Sequence, residues 1–183
     1  HADKFGELIV QNYEGRFGPI HTLAIDVIHK VTRKDKFDIP GRGEMTAMQV
    51  FLDLPLNAEF WRDQKIIYVR EESVSSIIGV SEKRASFNDF FNERGEYKLQ
   101  TFAETASRKP DATRNKFDKE IIKVSERLEI FMMAYQGSML AIFPVQNSEN
   151  HKWVSWDDPL ANQELTGSIR IINDDLQLPA LNY

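Results

Sequence analysis

A chain of 183 residues with 42% apolar, 28% charged and 11% aromatic content carries enough apolar mass for one globular core and is neither a disordered nor a collagenous composition. Its net charge of -5 supplies no global basic field for a phosphate backbone, so nucleic acid is excluded as the expected partner. The absence of cysteine removes disulfides, thiolate zinc sites and cysteine nucleophiles together, and no run approaches the roughly eighteen consecutive apolar residues that span a bilayer.

The chain starts without methionine, at His1-Ala2-Asp3, and reads as a piece of something longer. Residues 3–10 alternate loosely and predict a short strand, followed by turn chemistry through Gly15, Arg16 and Gly18. From Ile20 the apolar positions Ile20, Leu23, Ala24, Val27, Ile28 and Val31 recur at three- and four-residue spacings, with Asp26, Lys30 and Arg33 on the other side. That is one face of an α-helix. Gly15 permits the turn, Pro19 suits a helix start, and Thr22 is read as the N-cap.

Two histidines sit on this helix. At about 100° and 1.5 Å per residue, His21 and His29 lie roughly 80° apart around the axis and about 12 Å apart along it, too far to share a metal. No metal site is expected. His29 reads as solvated, and His21 as a local hydrogen-bonding residue whose neutral form the helix dipole favours.

Residues 34–44 read as a loop and residues 45–54 as a second helix, with Met45, Met48, Val50, Phe51, Leu52 and Leu54 mostly inward. A short helix follows with Asn57 as its cap, then the strand Lys65–Val69, rich in β-branched and aromatic residues. Residues 72–79 predict a helix closed by Gly79, residues 86–91 a helical turn, and residues 97–109 a helix stopped by Pro110. The longest element comes next: Phe117, Ile121, Val124, Leu128, Phe131 and Tyr135 form an amphipathic stripe closing at Gly137. Its charged residues Lys119, Glu120, Lys123, Glu126 and Arg127 read as a solvated face. Residues 138–145 fit a strand, 146–153 a loop, and 156–183 an ambiguous tail. The sum is a mainly helical α+β fold, a single compact domain over residues 1–183 with a long central helix and a few short strands.

Motifs for phosphate loops, dinucleotide binding, zinc proteases and serine hydrolases are absent from the sequence. The pairs Asp157-Asp158 and Asp174-Asp175 read as turn formers rather than an acid/base pair. Trp153 and Trp156 flank no histidine closer than His151, and a loop pinned by one buried tryptophan is the simpler reading than a stacked cofactor with His151 as axial ligand.

Several blocks together carry a family resemblance. The most specific is G-R-x-x-P-x-x-T-x-A, here Gly15, Arg16, Pro19, Thr22 and Ala24; it is backed by Phe117-Asp118-Lys119-Glu120 with Glu126-Arg127. Over about residues 1–155 the chain resembles the soluble segment of cytochrome c biogenesis proteins of the CcsA/ResB type (CcsBA, system II), in the large fused form of Bacteroidetes-like bacteria.

The resemblance implies an extracytoplasmic, periplasmic-side module of a multi-pass membrane protein that exports haem and attaches it covalently to apocytochrome c. The implied partners are apocytochrome c and the membrane portions of the same protein, with haem as a further candidate. The isolated module is expected to hold no cofactor of its own, haem being handled by the parent protein, and no catalytic residue. Arg16 and His21 are candidate donors to an acidic or carbonyl-bearing partner; His29, His151 and Trp153 complete the candidate binding residues. Gly15, Pro19, Thr22, Glu126 and Arg127 are structural motif residues. The alternatives are a stand-alone haem- or small-ligand-binding protein using His151, Trp153 and His21, and a hydrolase with a site on Asp157, Asp158 or Glu120.

Overall fold

In a computed structural model of the chain, which describes residues 2–12, 15–145, 148, 152–155 and 158, short antiparallel strand pairs are threaded between helices. Helix α1 (Ala2–Gly6) leads to strands β1 (Ile9–Gln11) and β2 (Phe17–Pro19), and β2 runs straight into α2 (Ile20–Thr32). Strands β3 (Lys36–Ile39) and β4 (Gly43–Thr46) precede α3 (Ala47–Leu56) and α4 (Ala58–Arg62). Then come β5 (Ile67–Tyr68), α5 (Glu72–Ile78), β6 (Arg84–Ala85) and α6 (Gln100–Arg108), the long α7 (Lys116–Gln136), and β7 (Phe143–Pro144) with β8 (Trp153–Val154). The fold is α+β and mainly helical, as the periodicity implies.

Helix α7 shows why the sequence folds as it does. Asn115 accepts the Asp118 backbone N–H at 2.8 Å while the Asp118 carboxylate accepts the Asn115 N–H at 3.0 Å, a reciprocal capping box. Gly137, at φ 75°, ends the helix in the left-handed region that glycine enters without strain. Between these stops Ile121, Val124, Leu128, Phe131 and Ala134 are buried. They pack with Ile20, Ala24, Val27 and Ile28 of α2 and Met48, Val50, Phe51 and Leu54 of α3 in one apolar cluster that also takes in Trp61 and Phe90. Each fully buried side chain of this size contributes about 1.5–3 kcal/mol.

Several expectations are corrected. The first residues form α1 before the strand begins, so the strand is shorter and later than the alternation over 3–10 implied. Residues 34–44 are not a loop: Lys36↔Thr46 through Ile39↔Gly43 pair as a hairpin, with Phe37 and Ile39 buried on its inner face. Met45 lies on β4 rather than on α3, and Thr46 starts α3 by a capping box with Gln49. Asn57 stands at the start of α4 without a side-chain cap bond and donates instead to Asp53 at 2.6 Å.

Thr22 is not the N-cap of α2 either. Pro19 occupies the cap position with extended backbone at φ -61°, ψ 142°, and Thr22 falls inside the first turn. The largest correction concerns α7. Glu120 and Arg127 are buried, at 4% and 5% exposure, and not part of a solvated face.

Candidate functional site

The opening motif builds one wall of a cavity. Asn12 closes the turn between β1 and β2 from both sides: its N–H donates to the Arg16 carbonyl at 2.8 Å and its Oδ1 accepts the Arg16 N–H at 2.9 Å. Gly15, at φ +80°, allows this return of the chain. Gln11 braces the turn by donating from Nε2 to the Gly15 carbonyl at 3.1 Å, and its Oε1 accepts the Trp153 N–H at 2.8 Å. Trp153 in turn meets Phe17 edge to face, ring centroids 5.5 Å apart. The wall is thus tied to β8 by one hydrogen bond and one aromatic contact.

Against this wall lie α2 and the C-terminal half of α7. Together they enclose a cavity of about 480 Å³ lined by Val10, Asn12, Arg16, Phe17, Gly18, Pro19, Thr22, Leu23, Asp26, Val27, Lys30, Ile130, Met133 and Met139. This volume falls within the range of small-ligand and anchor-residue sites. Its floor is apolar, and its polar groups come from two places: Thr22, Asp26 and Lys30 on the exposed edge of α2, and Asn12 and Arg16 on the turn. A second, shallower cleft of about 390 Å³ shares Lys30 and Ile130 with the first and continues past Arg33, Lys123, Glu126, Arg127 and Glu129.

The structure separates the sequence-derived candidates. Arg16, Pro19 and Thr22 line the cavity, and Gly15 shapes the turn beside it. His21 does not line it: its ring stands against Gly6, so that a Cβ there would come within 3.2 Å of the His21 Cβ. His29 is exposed and pairs through Nδ1 with Asp35 at 2.8 Å. Trp153 supports Phe17 from outside the cavity lining. Glu126 is on the second cleft, Arg127 is buried beside it, and His151 lies outside the described residues, as do Trp156, Asp157 and the pair Asp174-Asp175. Among the described residues no group of three or more His, Asp or Glu is placed to hold a metal ion, and no helix is long and apolar enough to cross a membrane.

Glu120 has a different role from the catalytic one considered for it. Its Oε1 accepts the Arg127 guanidinium at 3.0 Å and the Arg70 N–H at 2.8 Å, while Arg127 Nη1 also donates to the Tyr68 carbonyl at 2.9 Å. Both charges serve to fasten α7 to the end of β5. Sequence reading missed this pair and every cavity residue other than Arg16, Pro19 and Thr22, among them Asn12, Phe17, Gly18, Asp26, Lys30 and Met133. The pair had a signal: opposite charges seven residues apart, each directly preceding a stripe residue, Ile121 or Leu128. The cavity had none, since its floor is assembled from segments more than a hundred residues apart.

No family model matches the chain. Over 152 residues it is 38% identical to Protein NrfI of Wolinella succinogenes, a match covering 82% of this chain and 16% of the relative. The chain therefore spans about a sixth of the length of the curated relative it matches.

Proposed function

We propose that the chain is an extracytoplasmic part of a membrane-embedded cytochrome c biogenesis protein, and that it docks or positions haem or apocytochrome c for an attachment step carried out elsewhere in that protein. The coarser part of this reading, a role in cytochrome c biogenesis, is supported by the similarity to Protein NrfI. The resemblance of the Gly15–Ala24 block to CcsA/ResB-type proteins supports the finer part.

One observation carries the assignment to docking. Arg16, Pro19 and Thr22 of that block stand together on one cavity, with the polar groups of Arg16 and Thr22 along its edge beside the helix start that Pro19 supplies. The chain has no cysteine and so supplies none of the thiols that add to haem vinyl groups. Its own residues bind and orient.

The test is an in-frame deletion of residues 1–155 from the parent gene. Covalent haem staining of c-type cytochromes is expected to disappear while the shortened parent protein still inserts in the membrane, and protease added from outside should cut the intact segment. Unchanged cytochrome c levels would overturn the reading.

A further inference from the structure

The cavity is a trough with direction. Thr22, Asp26 and Lys30 stand four residues apart along one exposed edge of α2, and that span of eight residues is about 12 Å long. Leu23 and Val27, each one residue further on, are buried and form the floor, and Met133 of α7 lines the trough on its other side. The edge therefore carries a hydroxyl, a carboxylate and an ammonium in sequence, and the turn adds the amide of Asn12 and the guanidinium of Arg16.

This mixture discriminates between occupants. A hydrocarbon acid needs cations at one end and apolar walls along its body, so the Asp26 carboxylate at mid-length opposes it. A polypeptide carries N–H donors and C=O acceptors along its whole length and matches an edge that offers both. At about 3.3 Å per extended residue the trough holds roughly three to four residues.

Gly18 supplies the second, independent observation. Its φ is not positive, so the backbone makes no demand for glycine there, and a Cβ added at this position meets nothing within 4 Å. Its cross-strand partner is the buried Val10, which also lines the trough. Glycine inside a strand weakens it and often marks a bulge, a tight bend or a close approach by a ligand or another backbone; the pairing of β1 with β2 runs through Gly18 without a bulge. Beside it Phe17 is 53% exposed and Met133 37% exposed, apolar lining of the trough that an apolar side chain seated there would bury.

We infer that the trough seats an extended polypeptide segment, which lays an apolar side chain between Phe17 and Met133 and runs its backbone past Thr22, Asp26 and Lys30, with Gly18 leaving the room. The inference rests on the docking reading above and names the form in which the partner is held.

The test uses the 183-residue chain with two labelled probes, the tetrapeptide acetyl-Ser-Phe-Leu-Ser-amide and reduced apocytochrome c, with decanoate as competitor. Binding of the tetrapeptide that weakens at least tenfold in Gly18→Phe at unchanged melting temperature, and that decanoate does not displace, is the expected result. Should Gly18→Phe lower the melting temperature, Met133→Asp on the opposite wall replaces it. Equal binding by wild type and the wall variants, displacement by decanoate, or no tetrapeptide binding overturns the inference. If the tetrapeptide binds in a Gly18-dependent way and apocytochrome c does not bind, the trough stands and its assignment to cytochrome c biogenesis falls. If apocytochrome c binds and the wall variants leave that binding intact, the outcome is the reverse.

Discussion

Glu120 and Arg127, two turns apart on one helix, meet at 3.0 Å in the interior and share the end of β5 between them, Glu120 holding the Arg70 N–H and Arg127 the Tyr68 carbonyl. Removing one partner leaves the other charge buried with its strand bond alone, which costs about 3–5 kcal/mol. Replacing both with apolar groups of similar volume removes the uncompensated charge. Glu120→Ala and Arg127→Ala are therefore each expected to lower the urea midpoint sharply, and the double variant Glu120→Leu, Arg127→Met to lose less than the two single losses combined. The remaining deficit comes from the Arg70 N–H and Tyr68 carbonyl left without these partners. Additive losses in the double variant would show that the pair is not coupled.

The two glycines Gly137 and Gly18 should respond oppositely to alanine. Gly137 sits at φ 75°, where an L side chain costs about 1–2 kcal/mol. Gly18 has ordinary strand backbone and open space around the missing Cβ, so alanine is neutral or stabilises by about 0.4–1 kcal/mol through the unfolded chain. Chemical denaturation of the two variants side by side checks this, and a destabilised Gly18→Ala would mean that the wall is less open than its geometry.

Asp118 gives the fold an acid limit. The Lys109 ammonium, bonded to it at 2.7 Å, holds its carboxyl below the usual carboxylate range, with the Asn115 N–H adding to the effect and burial opposing it. A depressed folded-state value means that the contribution is present above the unfolded value, about 3.9, and is lost as pH falls through the folded one. Unfolding free energy should decline below about pH 4, and Asp118→Asn should both lower stability at pH 7 and flatten that decline. An unaltered acid slope in Asp118→Asn would count against this role.

Asp53 collects three donors: the indole Nε1 of Trp61 at 2.7 Å, the amide of Asn57 at 2.6 Å, and Arg42. Trp61 has no exposed surface, so Asp53→Ala strands a buried N–H at a cost of about 1–3 kcal/mol. The expected readout is a lower melting temperature with a changed tryptophan emission, while Asp53→Asn, which keeps an acceptor oxygen, loses less.

His29 is expected to be dispensable. It is exposed, and its bond to Asp35 is a surface pair, worth about 0–1 kcal/mol. His29→Ala should leave both the melting temperature and tetrapeptide binding within error of wild type; a loss of binding would move the site away from the trough.

Local signals made the helices legible. The 4, 3, 4, 3, 4 stripe of α7 and its glycine stop need nothing beyond their own segment, and α5 with Gly79 and the turn at residues 88–90 follow the same logic. The β3–β4 hairpin was obscured because Pro40, Gly41 and Gly43 dominate an eleven-residue stretch whose alternating Phe37 and Ile39 are too few to register as a strand. For the site, the sequence pointed to Arg16, Pro19 and Thr22 but read Thr22 as a cap, since a threonine three residues after a proline fits either place. The depth of the cavity depends on Ile130, Met133 and Met139 arriving from the far end of the chain, and no periodicity within residues 9–31 encodes that.

The bond from Gln11 to Trp153 joins positions 142 residues apart. A ribosome releases the amino end first, so β1, β2 and α2 emerge long before the methionines beneath them or the tryptophan that braces them, and closing so long a loop is slow. The trough faces of Val10, Leu23 and Val27 therefore meet Ile130, Met133 and Met139 only after most of the described chain has emerged.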